Sequence, residues 1–324
     1  MKYVAWIDIL GSRSLMKKDD DRAKHSWKEL RELVKKYLPP KGEAEIYGIN
    51  DGFYAISENP ALIQGLVRVY QSWFDKFSEE KGSRPLLRGA ISTSLAETVQ
   101  EDDSNVCMWL EGPAFRDAFH DEQLLRGCRL FINHTAITAA ENQAQVPCYE
   151  WQGLSAYELK EDKPLGEILW PISEDSADLL VKAEKSLKLY EAVFDDFLRK
   201  EANSGPKDPP SALLQYEETL KLMLRSIGRK LRAGGGRKEE LEQFVSDLLK
   251  YRPDQFRFTW GITFVALEAV FLADCLDGQH YVQSVKEYLM EQRHHSVNQP
   301  YVKDFEKELN LLTYKHFSEW FHSI

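Results

Sequence analysis

The chain has 324 residues, 43% of them hydrophobic and 29% charged, with a formal net charge of −10. This composition excludes a disordered chain, and the length exceeds the ~150 residues of one ordinary domain, so two units are expected. The acidic balance excludes nucleic-acid binding by the surface at large, no leader-like segment opens the chain, and no apolar run reaches the ~18 residues of a membrane span, so a cytoplasmic protein is expected.

The first element is Tyr3-Val4-Ala5-Trp6-Ile7-Asp8, an apolar run that turns polar at the carboxylate and enters Ile9-Leu10-Gly11-Ser12. It reads as a strand followed by a glycine-containing loop. A helix is predicted over roughly 20 to 38. The stretch Glu45 to Ile56 reads as two strands folded about Asn50-Asp51-Gly52, a hairpin signal. Asn59-Pro60, an N-cap with proline at the first helical position, opens a helix predicted over 60 to 80. A strand at Leu86 to Ser92 and a helix over 112 to 124 follow, and Gly166 to Pro171 alternates as a strand does.

After Ser173 the apolar period becomes helical. Helices are predicted at Ala177 to Asn203, Ser211 to Arg232, Lys238 to Lys250, Phe256 to Cys275, Tyr281 to Glu291 and Val302 to Phe321. Gly205-Pro206, Pro209-Pro210 and Ala233-Gly234-Gly235-Gly236-Arg237 are the linkers. The pattern is therefore α/β over 1–172, followed by an all-helical region over 173–324. Cys107, Cys128, Cys148 and Cys275 lack metal-ligand spacing and read as reduced, partly buried residues. His294-His295 sits in a polar stretch before Gln299-Pro300 and reads as solvated loop. Arg225, Arg229, Lys230, Arg232, Arg237 and Lys238 form one concentrated basic cluster, either a solvated helix end favoured by the dipole or a surface for an anionic trigger.

Asp8 and Asp51 carry the chemistry. If the first strand lies beside the hairpin, both carboxylates emerge on one rim of one sheet. So placed, they can hold one or two divalent cations, which can in turn hold a triphosphate. The alternative for Asp51-Gly52 is turn chemistry alone. Arg88 reads either as a phosphate contact or as a strand-edge salt bridge.

Four blocks in order over roughly the first 170 residues resemble the class III nucleotidyl cyclases. They are Asp8-Ile9-Leu10-Gly11-Ser12, Asn50-Asp51-Gly52-Phe53, Leu87-Arg88-Gly89-Ala90-Ile91-Ser92, and Gly112-Pro113-Ala114-Phe115-Arg116-Asp117-Ala118-Phe119-His120. The resemblance implies an α+β sandwich with an antiparallel-rich sheet flanked by helices, a strand at Cys128 to Asn133 after the last block, a closing hairpin between Tyr157-Glu158-Leu159-Lys160 and Pro164 to Pro171, and a catalytic domain at 1–172 with a helical sensor or dimerisation region at 173–324. It also implies two divalent ions per site, Mn2+ or Mg2+, held by Asp8, Ile9 and Asp51, and a head-to-tail homodimer with active sites at its interface. Gly11, Ser12, Arg88 and Lys160 would hold the nucleotide, Gly11 and Ser12 as part of a backbone N–H cradle running from Ile9 through Ser12.

The departures from the family pattern concern the base. Its adenine-reading lysine falls on Tyr47 and its purine-reading aspartate on Trp109, so aromatic surface replaces charged hydrogen-bonding groups. Its transition-state asparagine and arginine fall on Arg116 and His120, the candidate catalytic residues. Retained metal aspartates with a replaced base code resemble the pyrimidine cyclases of bacterial Pycsar antiphage defence. That resemblance implies conversion of UTP to 3′,5′-cyclic UMP and pyrophosphate, with a phage-derived trigger acting at the helical region. Cyclic CMP synthesis, a purine cyclase and a catalytically inactive nucleotide sensor are the alternatives.

Overall fold

The structure, a computed structural model, describes residues 2–12, 16–17, 19–79, 86–99, 109–122, 127–146, 148–151, 165–170, 180–181, 183–184, 211–232, 239, 241 and 243. The chain divides after Trp170 into two compact units, Met1–Trp170 and Pro171–Ile324. The first unit contains β1 (Lys2–Ile9), α1 (Asp20–Tyr37), β2 (Ala44–Ile49), β3 (Gly52–Ser57), α2 (Ala61–Glu79) and β4 (Leu87–Ser94). It continues with β5 (Glu97–Val99), β6 (Trp109–Glu111), α3 (Pro113–Glu122), β7 (Leu130–Asn133), α4 (His134–Asn142), β8 (Cys148–Trp151) and β9 (Leu165–Ile168).

Seven strands form one sheet in the order β2-β3-β1-β4-β7-β9-β8, with β5 and β6 as a separate two-stranded ribbon. The first six elements, β1-α1-β2-β3-α2-β4, are the split βαβ arrangement: each helix carries the chain past one strand, so β1 ends between β3 and β4, antiparallel to both. Among the described strands the β4–β7 pair is parallel and the others antiparallel. The α/β sandwich expected from sequence, antiparallel-rich and flanked by helices, is the observed fold.

β1 is an interior strand of the sheet with both of its faces covered. Val4, Ala5 and Ile7 are fully buried and Trp6 nearly so, and a strand packed on both sides reads as a continuous apolar run. Val4 and Trp6 face α3, where they pack with Ile56, Ala96, Ala114, Phe115 and Ala118. Ile7 points the other way; its side chain and Tyr70 of α2 crowd the same position at Gly89. By alternation Asp8 shares the α3 face with Val4 and Trp6.

Local signals account for the helices. Asp19 caps α1, its carboxylate accepting from the Arg22 N–H at 3.0 Å, with Asp20 and Asp21 in the first turn and Lys35 and Lys36 in the last. The Asn59 side chain accepts from the Ala61 N–H at 2.9 Å at the start of α2. α4, opened by Asn133 accepting from the Ala136 N–H at 3.2 Å, is an element the periodicity does not predict. β9 pairs with β7 on one side and with β8 on the other; Tyr157 to Lys160, the first arm of the expected closing hairpin, lie outside the described residues.

In the second unit α5 spans Ser211–Arg232, the bounds predicted from sequence. Its residues from Thr219 through Gly228 are buried all round, the mark of a helix inside a core. Arg225 is among them, so the basic cluster is not the uniformly solvated helix end that electrostatics predict. The other helices predicted beyond 173 lie largely or wholly outside the described residues, as does His294-His295. Among the described residues no helix is long and apolar enough to cross a membrane. Cys128 and Cys148 are buried thiols, the former pushed up to about 12 by burial.

Candidate active site

Register places the two aspartates together. Asp8 lies directly across from Gly52 in the β1–β3 ladder and across from Arg88 in the β1–β4 ladder. Gly52 follows Asp51, and the Ile9 N–H donates to the Asp51 carbonyl at 3.3 Å, so the loop after β1 runs against the β2–β3 turn. The turn itself is corrected from the sequence reading. Its two loop residues are Asn50 and Asp51, between the paired Ile49 and Gly52, and Asn50 takes the positive φ of 52°, a conformation asparagine tolerates.

Gly52 serves packing instead. A Cβ there would lie 2.6 Å from the Ile7 carbonyl oxygen and 2.7 Å from the Trp6 ring. Gly89 is equally constrained, with Ile7 Cδ1 at 2.4 Å and the Trp6 carbonyl oxygen at 2.5 Å. Strands on both sides of β1 therefore approach without an intervening side chain.

Gly11 takes φ +76°, which turns the chain after Leu10 so that the buried Ser12 hydroxyl donates to Asp51 Oδ2. This bond ties the loop after β1 to the second aspartate. The expected N–H cradle over Ile9 to Ser12 is smaller than predicted. The Ile9 N–H is committed to Asp51, and the Leu10 N–H donates to the Leu86 carbonyl at 2.7 Å.

Asp8 is mostly buried, and its carboxyl is pushed from 3.8 up to about 6. Burial is the main cause, the Asp51 charge adds to it, and Arg88 opposes both. Arg88 reaches Asp8 Oδ2 with one terminal nitrogen at 3.4 Å and makes an ion pair through Nε with Glu122. Of the two readings of Arg88, phosphate contact and salt bridge, the salt bridge is the one seen within the chain.

Glu122 is a neighbour of Arg88 that motif comparison misses. Its signal is visible in retrospect: Phe115, Ala118 and Glu122 follow helical spacing on the buried face of α3, and the last is a carboxylate in an apolar position.

Tyr47 stands on β2 and packs with Tyr54 and Leu110 against the Trp6–Phe115 cluster. Its hydroxyl donates to Glu45 Oε2 at 2.5 Å, and Thr98 Oγ1 donates to the same oxygen at 3.3 Å. Burial and this carboxylate push the phenol up. The aromatic group extends through Trp6, whose ring lies 4.6 Å from that of Tyr54 and 5.8 Å from that of Phe119. Trp109 pairs with Val99 in the β5–β6 ribbon, but its side chain lies outside the described residues, as does Lys160. Arg116 and His120 occupy the outward face of α3, 80% and 71% exposed. Nothing brings them to the aspartates within one subunit.

Two carboxylates with hard oxygen donors suit Mg2+ or Mn2+. Arg88 contacts Asp8 and Glu122, and the Asp51 turn lies across the β1–β3 ladder from Asp8, so the rim carries carboxylate charge that a divalent cation would offset. The residues present therefore fit the metal. Among the described residues no third His, Cys, Asp or Glu joins the pair to make a larger ligand cluster.

No family model matches the chain, and no curated protein matches it. Among solved structures it is similar to an adenylate cyclase from Trypanosoma brucei in its monomeric state, at 15% identity over 52% of this chain and 87% of that one, with a TM-score of 0.41. The adenylyl cyclase CyaB from P. aeruginosa matches at 12% identity over 52% and 92%, with a TM-score of 0.41. The guanylate cyclase domain of RhGC from Catenaria anguillulae, in complex with GTP, matches at 12% identity over 52% and 94%, with a TM-score of 0.42.

Proposed function

We propose that this chain is a nucleotidyl cyclase that converts a pyrimidine nucleoside triphosphate, UTP, to 3′,5′-cyclic UMP and pyrophosphate. The observation that supports it is the meeting of Asp8 and Asp51 at one sheet rim, with Arg88 alongside. In-line attack of the ribose 3′-oxygen on the α-phosphorus needs positioning and charge neutralisation more than a protein nucleophile. Asp8 and Asp51, with the Ile9 carbonyl, would hold Mn2+ or Mg2+, which when bound lowers the pKa of the 3′-hydroxyl and offsets phosphate charge.

Around that centre each residue has a separate task. Gly11 and Ser12 line the turn that would receive phosphate oxygens, and Arg88 adds a fixed positive charge, with Lys160 as a further phosphate contact. Tyr47 and Trp109 would border the base with aromatic surface. Arg116 and His120, facing outward, would reach the phosphates bound to a second copy in a head-to-tail homodimer, so that each pocket draws on both subunits. The resemblance carries the wider reading as well: a second messenger in antiphage defence, with the Pro171–Ile324 unit receiving the trigger.

Incubation with each of the four ribonucleoside triphosphates and Mn2+, followed by product analysis, tests the reading. Cyclic UMP is expected; cyclic AMP or cyclic GMP as the main product refutes the pyrimidine assignment. Asp51→Ala is expected to abolish turnover, and an unchanged rate removes the metal assignment. One observation favours the catalytically silent alternative: Arg116 and His120 sit beside their own neighbours Asp117 and Asp121, at 3.6 and 3.8 Å. That reading predicts nucleotide binding without product.

A further inference from the structure

Arg88 stands between two carboxylates and pairs with each through a different nitrogen. Its Nε pairs with Glu122, whose side chain is only 1% exposed at the end of α3. Its terminal nitrogen stands 3.4 Å from Asp8 Oδ2, longer than a well-formed N–H···O bond. We propose that Glu122 is a positioning residue for the carboxylate pair: by engaging Arg88 from α3 it keeps the guanidinium from neutralising Asp8, and so preserves the negative charge that binds a divalent cation. The inference rests on the reading of Asp8 and Asp51 as metal ligands.

The placement favours this role over a purely structural one. A buried carboxylate needs a partner, and a nearby cation is the ordinary solution. Here, however, the partner lies directly across the β1–β4 ladder from Asp8, so any change in the pairing at Glu122 redistributes charge at the rim. Without Glu122 the whole guanidinium charge turns to Asp8 and competes with a metal for the same oxygen. Without Arg88 the rim becomes more negative and attracts the metal more strongly. The two single substitutions therefore act in opposite directions on metal affinity, although both break the same ion pair.

Mn2+ titration of the full-length protein without nucleotide, followed by the electron paramagnetic resonance of free Mn2+, reads this directly. Glu122→Gln is expected to raise the Kd for Mn2+ roughly tenfold, the scale of outer-sphere changes around metal ligands. Arg88→Gln is expected to lower it, and the double variant R88Q/E122Q to bind at least as tightly as wild type. Equal affinity in wild type and Glu122→Gln, or weaker binding in both single variants, overturns the inference while leaving the metal site standing. Should Glu122→Gln not fold, the double variant decides, because it removes the pair as a unit: a Kd above that of wild type refutes the proposal. Wild type that binds no Mn2+ removes the carboxylate-pair reading itself, and this inference with it.

Discussion

Asp8→Asn should stabilise the metal-free protein while destroying its activity. Asparagine keeps the shape of the side chain and can still accept from Arg88, so the substitution removes mainly the charge. In the folded chain that charge is disfavoured: the carboxyl rises from 3.8 to about 6. At ~1.4 kcal/mol for each tenfold change in proton affinity, this is roughly 3 kcal/mol. Solvent at the 17% of the side chain that stays exposed screens part of it, leaving about 2 kcal/mol.

The sign follows from linkage. The folded state holds the Asp8 proton more tightly than the unfolded chain does. Its stabilising contribution is fully present below about pH 4 and is lost as pH rises through about 6. Urea unfolding of both proteins in EDTA across pH 4 to 8 should show curves that meet at the acid end. Toward pH 8 the variant should lead by about 2 kcal/mol. A variant less stable than wild type at pH 8, or a difference that does not change with pH, refutes the account of Asp8 as a destabilised carboxylate. Excess Mn2+ should reverse the order, since a ligand at 100 times its Kd adds about 2.7 kcal/mol to the wild type alone.

Four further outcomes follow from the same geometry. Gly52→Ala, which sets a Cβ 2.6 Å from the Ile7 carbonyl oxygen, should lower stability by about 2 kcal/mol or more in thermal unfolding, because backbone rather than a flexible side chain must move. Arg129→Met should cost roughly 3 to 5 kcal/mol by removing the cation paired at 3.4 Å with the fully buried Glu167, again read by thermal or urea unfolding. Tyr47→Ala should relax the preference among the four triphosphates in the product assay, and an unchanged product profile counts against an aromatic base pocket. Equimolar mixing of inactive Asp8→Asn with inactive Arg116→Ala should restore about a quarter of wild-type activity if each pocket of a twofold dimer draws on both subunits; no recovery removes Arg116 from the shared site.

The parts of this fold legible in sequence are those whose cause is local. β1 announces itself by apolar residues on both faces, α1 and α2 by caps and helical period, and the β2–β3 hairpin by Asn50-Asp51. The parts that escape depend on partners far along the chain. α4 is only nine residues long and begins at once where β7 ends, so Asn133 reads as the end of a strand when it is also a cap. β8 is four residues whose strand character comes from pairing with β9. The carboxylate pair could be guessed from two loops, yet its electrostatics could not. Glu122 lies 34 positions from Arg88 in sequence, and only the packing of α3 on β1 and β4 makes them neighbours.

The convergence of Asp8 and Asp51 is a consequence of strand register more than of loop chemistry. Successive residues of a strand face opposite sides of the sheet, so a slip of one position in β1 would turn Asp8 toward α2 and bring Ile7 to the α3 face. Gly52 and Gly89 oppose such a slip, because each lies where Trp6 and Ile7 leave no room for a side chain, one in each ladder flanking β1. Displacing either glycine by one position would put Phe53, Arg88 or Ala90 into that space. Asp8 is thereby held opposite both the Asp51 turn and Arg88. The cost of placing two carboxylates together is borne by a strand that is among the best buried in the molecule, where the surrounding packing can hold a destabilised charge in place.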